Sequence, residues 1–120
     1  MPGTSRRTER LLQQYRAEAH ERELHRELAK LDRSFDEWRR GEIGSGELSE
    51  RIHHYHQGPS RALFKRYNYG DVRTMVAYAI VGGVLHREEV PAELLEAIEG
   101  PLGFFQSLKE KDELKMPDEM

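Results

Sequence analysis

The residues best suited to chemistry are three histidines crowded into the stretch IHHYHQGPSR, residues 52–61. If this stretch is helical, His53 and His56 lie three residues apart, and Glu50 precedes His53 by the same spacing. The three side chains can then approach one ion such as zinc. The spacing differs from the helical zinc signature HExxH, in which the two histidines are four residues apart. Glu50, His53 and His56 are therefore candidate metal ligands without a recognised metal motif.

Two other interpretations fit the same histidines. In the first, His53 and His54 point to solvent, while His56 lies beside Ile52 and Tyr55 at the edge of the core. In the second, the cluster senses pH, because imidazole titrates near neutrality and neighbouring rings repel one another once charged. The sequence favours the first interpretation, since the set offers a metal ion three ligands at most.

The second group of candidates is the basic and aromatic run RALFKRYNYGDVR, residues 61–73. Tyr67 and Tyr69 could stack on nucleic-acid bases. The side chains that could contact phosphate are Arg61, Lys65, Arg66 and Arg73. The alternative is an amphipathic helix with aromatic core residues and a solvated basic face. A helix-turn-helix protein needs polar groups on its recognition helix, whereas residues 72–81 are mostly apolar, so DNA recognition by this segment is disfavoured.

Composition excludes several classes of site. The chain has 120 residues and no cysteine, which excludes disulfides, thiolate catalysis and cysteine-ligated metal centres. The sequence also lacks a glycine-rich phosphate loop and a nucleophile elbow. We therefore expect no enzymatic activity and no cofactor. The net charge of −3 gives nucleic-acid binding no support outside the opening cluster Arg6, Arg7 and Arg10.

No segment is suited to secretion or to a membrane span. The opening sequence MPGTSRRTERLLQQYR lacks the apolar core of a signal peptide, and the longest apolar stretch, residues 75–85, is about half the length that a span requires. The sequence KDEL at 111–114 is internal, and such a retention signal is recognised only at the C terminus. We therefore expect a cytoplasmic protein that does not contact a membrane.

The elements that must position these residues are expected to be helical. Residues 8–40 contain no glycine or proline and are rich in strong helix formers, which predicts one long helix. The chain then turns back over residues 41–46, where Gly44 suits the C′ position of the first helix and Ser45 the N-cap of the next. The Gly-Pro pair in the histidine stretch predicts a kink in this second helix.

The apolar run that follows predicts a helix buried at the centre of a bundle, near residues 71–82, with Asp71 as its N-cap. A strand over residues 76–81 is the alternative, but the sequence offers no second strand to pair with it. Pro91 suits the first turn of a further short helix that Gly100 would end. The sequence PLGFFQSL then forms a last short helix or turn.

The chain is long enough for one domain with a modest core. Its last segment, KEKDELKMPDEM, has no apolar period and an acidic excess. The sequence therefore predicts an all-α fold: a small bundle with a long charged N-terminal helix, a kinked second helix and a buried central helix. The predicted organisation is a flexible N terminus at 1–7, one helical domain at 8–108 made of the long helix 8–40 and a bundle 46–108, and a disordered acidic tail at 109–120.

An apolar stripe runs along the second half of the long helix. Its members recur at spacings of 4, 3, 4 and 3, as in a coiled-coil seam: Leu24, Leu28, Leu31, Phe35 and Trp38. A helix of about 50 Å is longer than the remaining helices can cover, so part of this stripe must contact something else. We therefore expect a protein-interaction or regulatory module that binds a second copy or another protein through this stripe. The alternative for the stripe is that it packs on the later helices of the same chain and only about the first two or three turns of the long helix protrude. Nucleic acid is the alternative partner.

Overall fold

The structure, a computed structural model, describes residues 5–115 and is built from helices. No strand occurs within these residues, which confirms the all-α prediction and rules out the strand considered for 76–81. In chain order the elements are α1 Arg6–Arg39, α2 Ser45–Tyr55, a π-helical turn His56–Ser60, α3 Arg61–Asn68, α4 Val72–Val81, a 3-10 turn Arg87–Glu89, α5 Ala92–Ala97 and α6 Glu99–Glu110.

Both ends of α1 are capped by residues whose chemistry suits the position. Ser5 is the N-cap, and its hydroxyl accepts a hydrogen bond from a first-turn backbone N–H at 3.1 Å. Gly41 follows the last turn with φ +77°, a left-handed conformation that favours glycine. The roles predicted for Gly44 and Ser45 were wrong because α1 ends earlier. Gly44 is instead the N-cap of α2, and the Ser45 hydroxyl accepts from the indole N–H of Trp38 at 3.1 Å.

The Gly-Pro pair lies inside a continuous helical segment. Residues 45–68 are helical throughout, and Pro59 lies within the π turn. In an α-helix, proline removes one hydrogen bond and its ring clashes with the carbonyl four residues earlier. A π turn is wider than an α turn and gives the ring room. The sequence predicted a kink here, and the structure has a π turn in its place.

The hydrophobic core forms where α4 packs against α1 and α6. Asp71 is the N-cap of α4 as predicted, since its carboxylate accepts from the backbone N–H of Arg73 at 3.3 Å. Leu12 and Ala19 of α1 and Leu63 of α3 complete this side of the core. The buried residues of α4 itself are Met75, Val76, Ala77, Ala79, Ile80 and Val81.

The last two helices follow one another almost directly. Gly100 does not end a helix as predicted. Instead, α5 stops at Ala97, and Gly100 and Pro101 lie in the first turn of α6. Proline is tolerated there because a first-turn N–H has no partner within the helix. Leu102 is then buried, whereas Phe104 remains exposed.

The chain stays packed on the fold beyond α6. Leu114 lies against the core, and the carbonyl of Lys115 accepts a hydrogen bond from the Tyr78 hydroxyl at 2.6 Å. The tail predicted to be disordered from residue 109 therefore differs from the structure through Lys115. Residues 116–120 of that tail and residues 1–4 of the predicted flexible N terminus lie outside the described residues.

Arg22 joins α1 to the loop that precedes α5. Its guanidinium donates to both carboxylate oxygens of Glu89, at 2.7 and 2.8 Å, and to the carbonyl of Val84 at 3.0 Å. Glu89 also accepts from the backbone N–H of His86 at 2.8 Å. The hydrogen bond from Arg22 and then the one from His86 lower the pKa of Glu89 to about 2.

This ion pair predicts a dependence of stability on pH. Because the folded pKa lies below the ordinary value of 4.5, the stabilisation is complete above pH 4.5 and is lost as the pH falls toward 2. The Arg22 and Glu89 side chains remain 35% and 30% exposed, so solvent screening is strong. We expect Glu89→Gln to lower the free energy of unfolding by about 1 kcal/mol at neutral pH. Urea unfolding at about pH 7 and about pH 3 should show that Glu89→Gln lowers the free energy of unfolding by less at the lower pH. An equal decrease at both pH values would mean that the ion pair does not cause the pH dependence.

The molecule consists of a body and an arm. Among the described residues, the hydrophobic core includes α1 side chains only as far as Leu24. Beyond that point α1 packs against α2 and the π turn. We call residues 25–55 the arm. They comprise the rest of α1, the turn that follows it and α2. The other described residues form the body. The arm accounts for the elongated shape of 61 × 33 × 24 Å.

Candidate functional site

The predicted interaction stripe begins at the body and continues along the arm, where it is incompletely covered. Leu28 is 48% exposed and Trp38 is 40% exposed, and Ile52 of α2 is 39% exposed. The rings of Phe35 and Trp38 pack edge to face, with centroids 6.4 Å apart. The other half-buried members of the stripe are Leu24 and Leu31. The structure therefore leaves a substantial part of this apolar surface open to solvent.

Polar side chains lie on the side of α1 that faces α2, beside Leu31 of the stripe. Ser34 is buried there, and the side chain of Glu27 is only 14% exposed. Arg51 of α2 donates to the Ser34 hydroxyl at 3.1 Å and to carboxylate oxygens of Glu37 and Glu47, each at 3.0 Å. Ion pairs and hydrogen bonds therefore contribute to the contact between the two arm helices, together with the buried Leu48 of α2 and the half-buried Leu31 of α1.

Helix geometry places the stripe on one flank of the arm. Leu28 lies about 100° around α1 from Glu27, which lines the contact with α2. Trp38 lies only about 20° from Glu27, at the edge of that contact. The Trp38–Ser45 hydrogen bond brings the stripe side of α1 next to the Ser45 side of α2. Ile52 follows Ser45 by seven residues, or about two turns, and so lies on that same side. One apolar face therefore crosses both helices. We call it the arm face, and its most exposed members are Leu28, Trp38 and Ile52.

At the junction of arm and body, the carboxylate of Glu23 is buried, with 1% of the residue exposed. Tyr67 donates its hydroxyl proton to this carboxylate. Arg66 donates from Nη1 to the two oxygens at 3.1 and 3.2 Å, and Arg26 donates from Nη2 at 3.4 Å. We call these four residues the Glu23 node. It connects α1 to α3 and balances one buried negative charge with two guanidinium groups.

Two further side chains pack around the node. The His20 ring stacks on Tyr67 with centroids 5.3 Å apart, and Arg16 donates to the Tyr67 carbonyl at 3.2 Å. Burial and then the hydrogen bond to Glu23 raise the pKa of Tyr67, so the phenol keeps its proton and remains a donor. Burial and then the Arg16 charge lower the pKa of His20. The node thus has fixed donors and acceptors, as expected of a group that positions two helices.

The sequence analysis missed Glu23, although one signal for it was present. The buried side of α1 includes Ala19 and continues four residues later at Glu23, where the apolar pattern shifts to the stripe that begins at Leu24. A charged residue at such a position is ordinarily solvated. The donors that make burial tolerable, Arg66 and Tyr67, lie 43 and 44 residues further along the chain. The spacing of residues along α1 therefore does not indicate these donors.

The histidine cluster lies on the surface. His53 and His54 are exposed, and so is His56, which does not lie at the edge of the core. Glu50 is exposed as well. Within residues 5–115, no group of three or more histidine, aspartate or glutamate side chains is placed to hold a metal ion. The structure therefore does not bring the candidate ligands Glu50, His53 and His56 together as a metal site.

The basic residues predicted to contact phosphate do not form one patch. Arg66 belongs to the Glu23 node, and Arg73 pairs with Glu9 at 3.4 Å. Arg61 and Lys65 lie one turn apart on α3 and are exposed. These two line a cleft of about 520 Å³ beside the π turn, together with His54 and Lys115. Of the predicted patch, the structure thus keeps Arg61 and Lys65 together, beside basic side chains from other elements.

A second cleft, of about 410 Å³, lies between the start of α4 and the end of α6, and Tyr69, Tyr78 and Phe105 contribute to its walls.

In the part of the chain that the structure describes, no helix is both long and apolar enough to cross a membrane. Comparison of the chain with protein-family models, with curated proteins and with solved structures gives no match. A function must therefore be inferred from the arm face, the Glu23 node and the clefts.

Proposed function

We propose that the protein is a small cytoplasmic interaction module without catalytic activity, and that its arm face binds a second copy of the chain. The arrangement of the arm carries this proposal. Arg51 forms polar contacts between α1 and α2, whereas the large apolar side chains of the arm face remain 39–48% exposed. A contiguous apolar surface surrounded by charged residues is typical of an interaction site.

The arm has little hydrophobic core of its own. Within residues 25–55 the buried side chains are Ser34 and Leu48, and the first of these is polar. Helices of this length depend on tertiary packing for most of their stability. A partner that covers the arm face would bury the apolar surface that the contact between α1 and α2 leaves exposed.

A second copy suits this surface in shape and in charge. Two arms packed face to face form a four-helix bundle, and the 4, 3, 4, 3 spacing of the stripe matches the seam of such bundles. Glu21 lies at the body end of the stripe and Arg39 near its tip, and both are exposed. An antiparallel arrangement about a twofold axis places Glu21 of each copy near Arg39 of the other, which favours this pairing electrostatically.

Light scattering on the full chain tests this proposal. We expect a mass of twice 14.1 kDa for the unmodified protein. Leu28→Glu should raise the dimer dissociation constant by about a hundredfold, because it introduces an unpaired charge into an apolar contact. The matched control is Ala29→Glu, an exposed position about 100° away on the same helix, which should leave the mass unchanged.

Circular dichroism of both variants checks that the helices are retained. A monomeric mass for the unmodified protein across the accessible concentration range would contradict self-association. Equal weakening by Leu28→Glu and Ala29→Glu would place the interface elsewhere. A dimer that both substitutions leave intact would also mean that the interface lies outside the arm face.

A further inference from the structure

Basic side chains from three parts of the fold line the cleft beside the π turn. His54 comes from α2, Arg61 and Lys65 from α3, and Lys115 from the segment after α6. Arg61, Lys65 and Lys115 form no ion pair with any residue in the described range 5–115. The cleft therefore collects three positive charges that no carboxylate of the described residues neutralises.

Several arginines elsewhere in the fold are paired with carboxylates. Arg22, Arg51 and Arg66 each bind carboxylates at 3.1 Å or less. The acidic residue that lines the cleft, Glu27, already accepts a hydrogen bond from Lys30 Nζ at 2.8 Å. Its charge is thus largely balanced from outside the cleft. An anion entering the cleft would meet Arg61, Lys65 and Lys115, none of which pairs with a carboxylate of the described residues.

The π turn gives the cleft its shape. Gly58 and Pro59 lie in this turn and form part of the lining, beside Ala62 at the start of α3. The His54 imidazole lies alongside Gly58, at 3.9 Å from the place where a Cβ would be. Arg61 and Lys65 emerge from the next turn of the same helical segment, on one side of it. Helical turns with π geometry occur frequently at functional sites.

We infer that this cleft binds a small ligand carrying two or more phosphate groups, in the chemical class of diphosphates and nucleoside polyphosphates. The planar guanidinium of Arg61 suits paired hydrogen bonds to one phosphate group. The ammonium groups of Lys65 and Lys115 suit a second phosphate group. The volume of about 520 Å³ lies in the range of small-molecule sites. The small and apolar surfaces of Pro59 and Ala62 leave room for an organic group beside the phosphates.

Nucleic acid matches this site less well than a small ligand does. A strand needs cations along an extended path, whereas these cations surround one concavity. Arg66 and Arg73, which would extend the path along α3 and α4, are held in ion pairs with Glu23 and Glu9. The net charge of −3 also opposes a long polyanion.

Isothermal titration of the full chain with inorganic pyrophosphate tests the inference. We expect saturable binding to one site per chain. Arg61→Ala and Lys65→Ala should each weaken binding by about tenfold or more, because each removes a charge-assisted hydrogen bond. Arg87→Ala is the matched control, since Arg87 is also exposed and unpaired in the described residues but does not line the cleft. It should leave the affinity unchanged.

Three results would overturn the inference: absence of binding at low salt, equal weakening by the Arg87 control, and stronger binding of a single-stranded oligonucleotide with a steep salt dependence. The last result would favour nucleic acid in place of a small ligand.

Light scattering on Arg61→Ala should still report the mass of the unmodified protein, because the cleft does not include the arm face. Failure of this site and failure of self-association are therefore distinguishable.

Discussion

Replacing Glu23 by alanine is expected to lower the free energy of unfolding by about 3–5 kcal/mol, which makes it one of the most damaging single substitutions in the chain. The carboxylate accepts from Tyr67, Arg66 and Arg26, and its removal leaves the Tyr67 hydroxyl buried without this acceptor. A buried donor without a partner keeps its full desolvation cost. Domains of this size have only about 5–15 kcal/mol of net stability, so urea unfolding will register the loss clearly.

A matched control separates the node from ordinary surface charge. Glu21 lies two residues earlier on the same helix and is exposed, and Glu21→Ala should change the free energy of unfolding by about 0.5 kcal/mol or less. Glu23→Gln keeps an acceptor for the phenol and should fold even if Glu23→Ala does not. A change below about 1 kcal/mol for Glu23→Ala would show that the node does not stabilise the fold.

A double-mutant cycle isolates the central hydrogen bond of the node. Tyr67→Phe alone removes the donor and leaves Glu23 with its two arginines. In the Glu23→Ala background the same substitution should cost much less, because the donor has already lost its acceptor. We expect an interaction energy of about 1–3 kcal/mol between the two positions. Additive effects would mean that the two side chains act independently.

The parts of the fold that follow from local chemistry were predicted well. A glycine-free and proline-free segment gave α1, and an apolar run after an N-capping aspartate gave α4. Gly100 shows the limit of such rules, because glycine ends some helices and Pro101 beside it can open others. Pro59 shows the same limit. Its disruption of an α-helix is a local rule, whereas the π turn that accommodates it depends on α2 and α3 both packing beside α1.

The candidate sites were less predictable because they depend on contacts between distant residues. The spacing of the stripe identified Leu28 and Trp38, but their exposure depends on which side of α1 meets α2. That contact includes hydrogen bonds from Arg51 to Ser34 and Glu37, 17 and 14 positions away in the sequence. The cleft combines Arg61 with Lys115, which lie 54 positions apart in the sequence. Residue types alone cannot show such a convergence.

The division into body and arm predicts that stability and association respond to different substitutions. Leu12 and Leu28 both lie on α1, but Leu12 is 0% exposed in the body and Leu28 is 48% exposed on the arm. We expect Leu12→Ala to lower the free energy of unfolding by about 2–5 kcal/mol, because it opens a cavity in the core. Leu28→Ala should lower it by less than about 1 kcal/mol when the protein is dilute enough to be monomeric.

The effects on association should be reversed. Leu28→Ala should weaken the dimer, since its side chain would be buried by the second copy, whereas folded Leu12→Ala keeps an intact arm face and should dimerise normally. Urea unfolding at low protein concentration and light scattering at high concentration measure the two quantities separately. Equal destabilisation of the monomer by both substitutions would mean that the arm shares the core of the body. Retention of the dimer by Leu28→Ala would mean that the exposed leucine contributes nothing to binding, so the surface that joins two copies would have to lie outside the arm face.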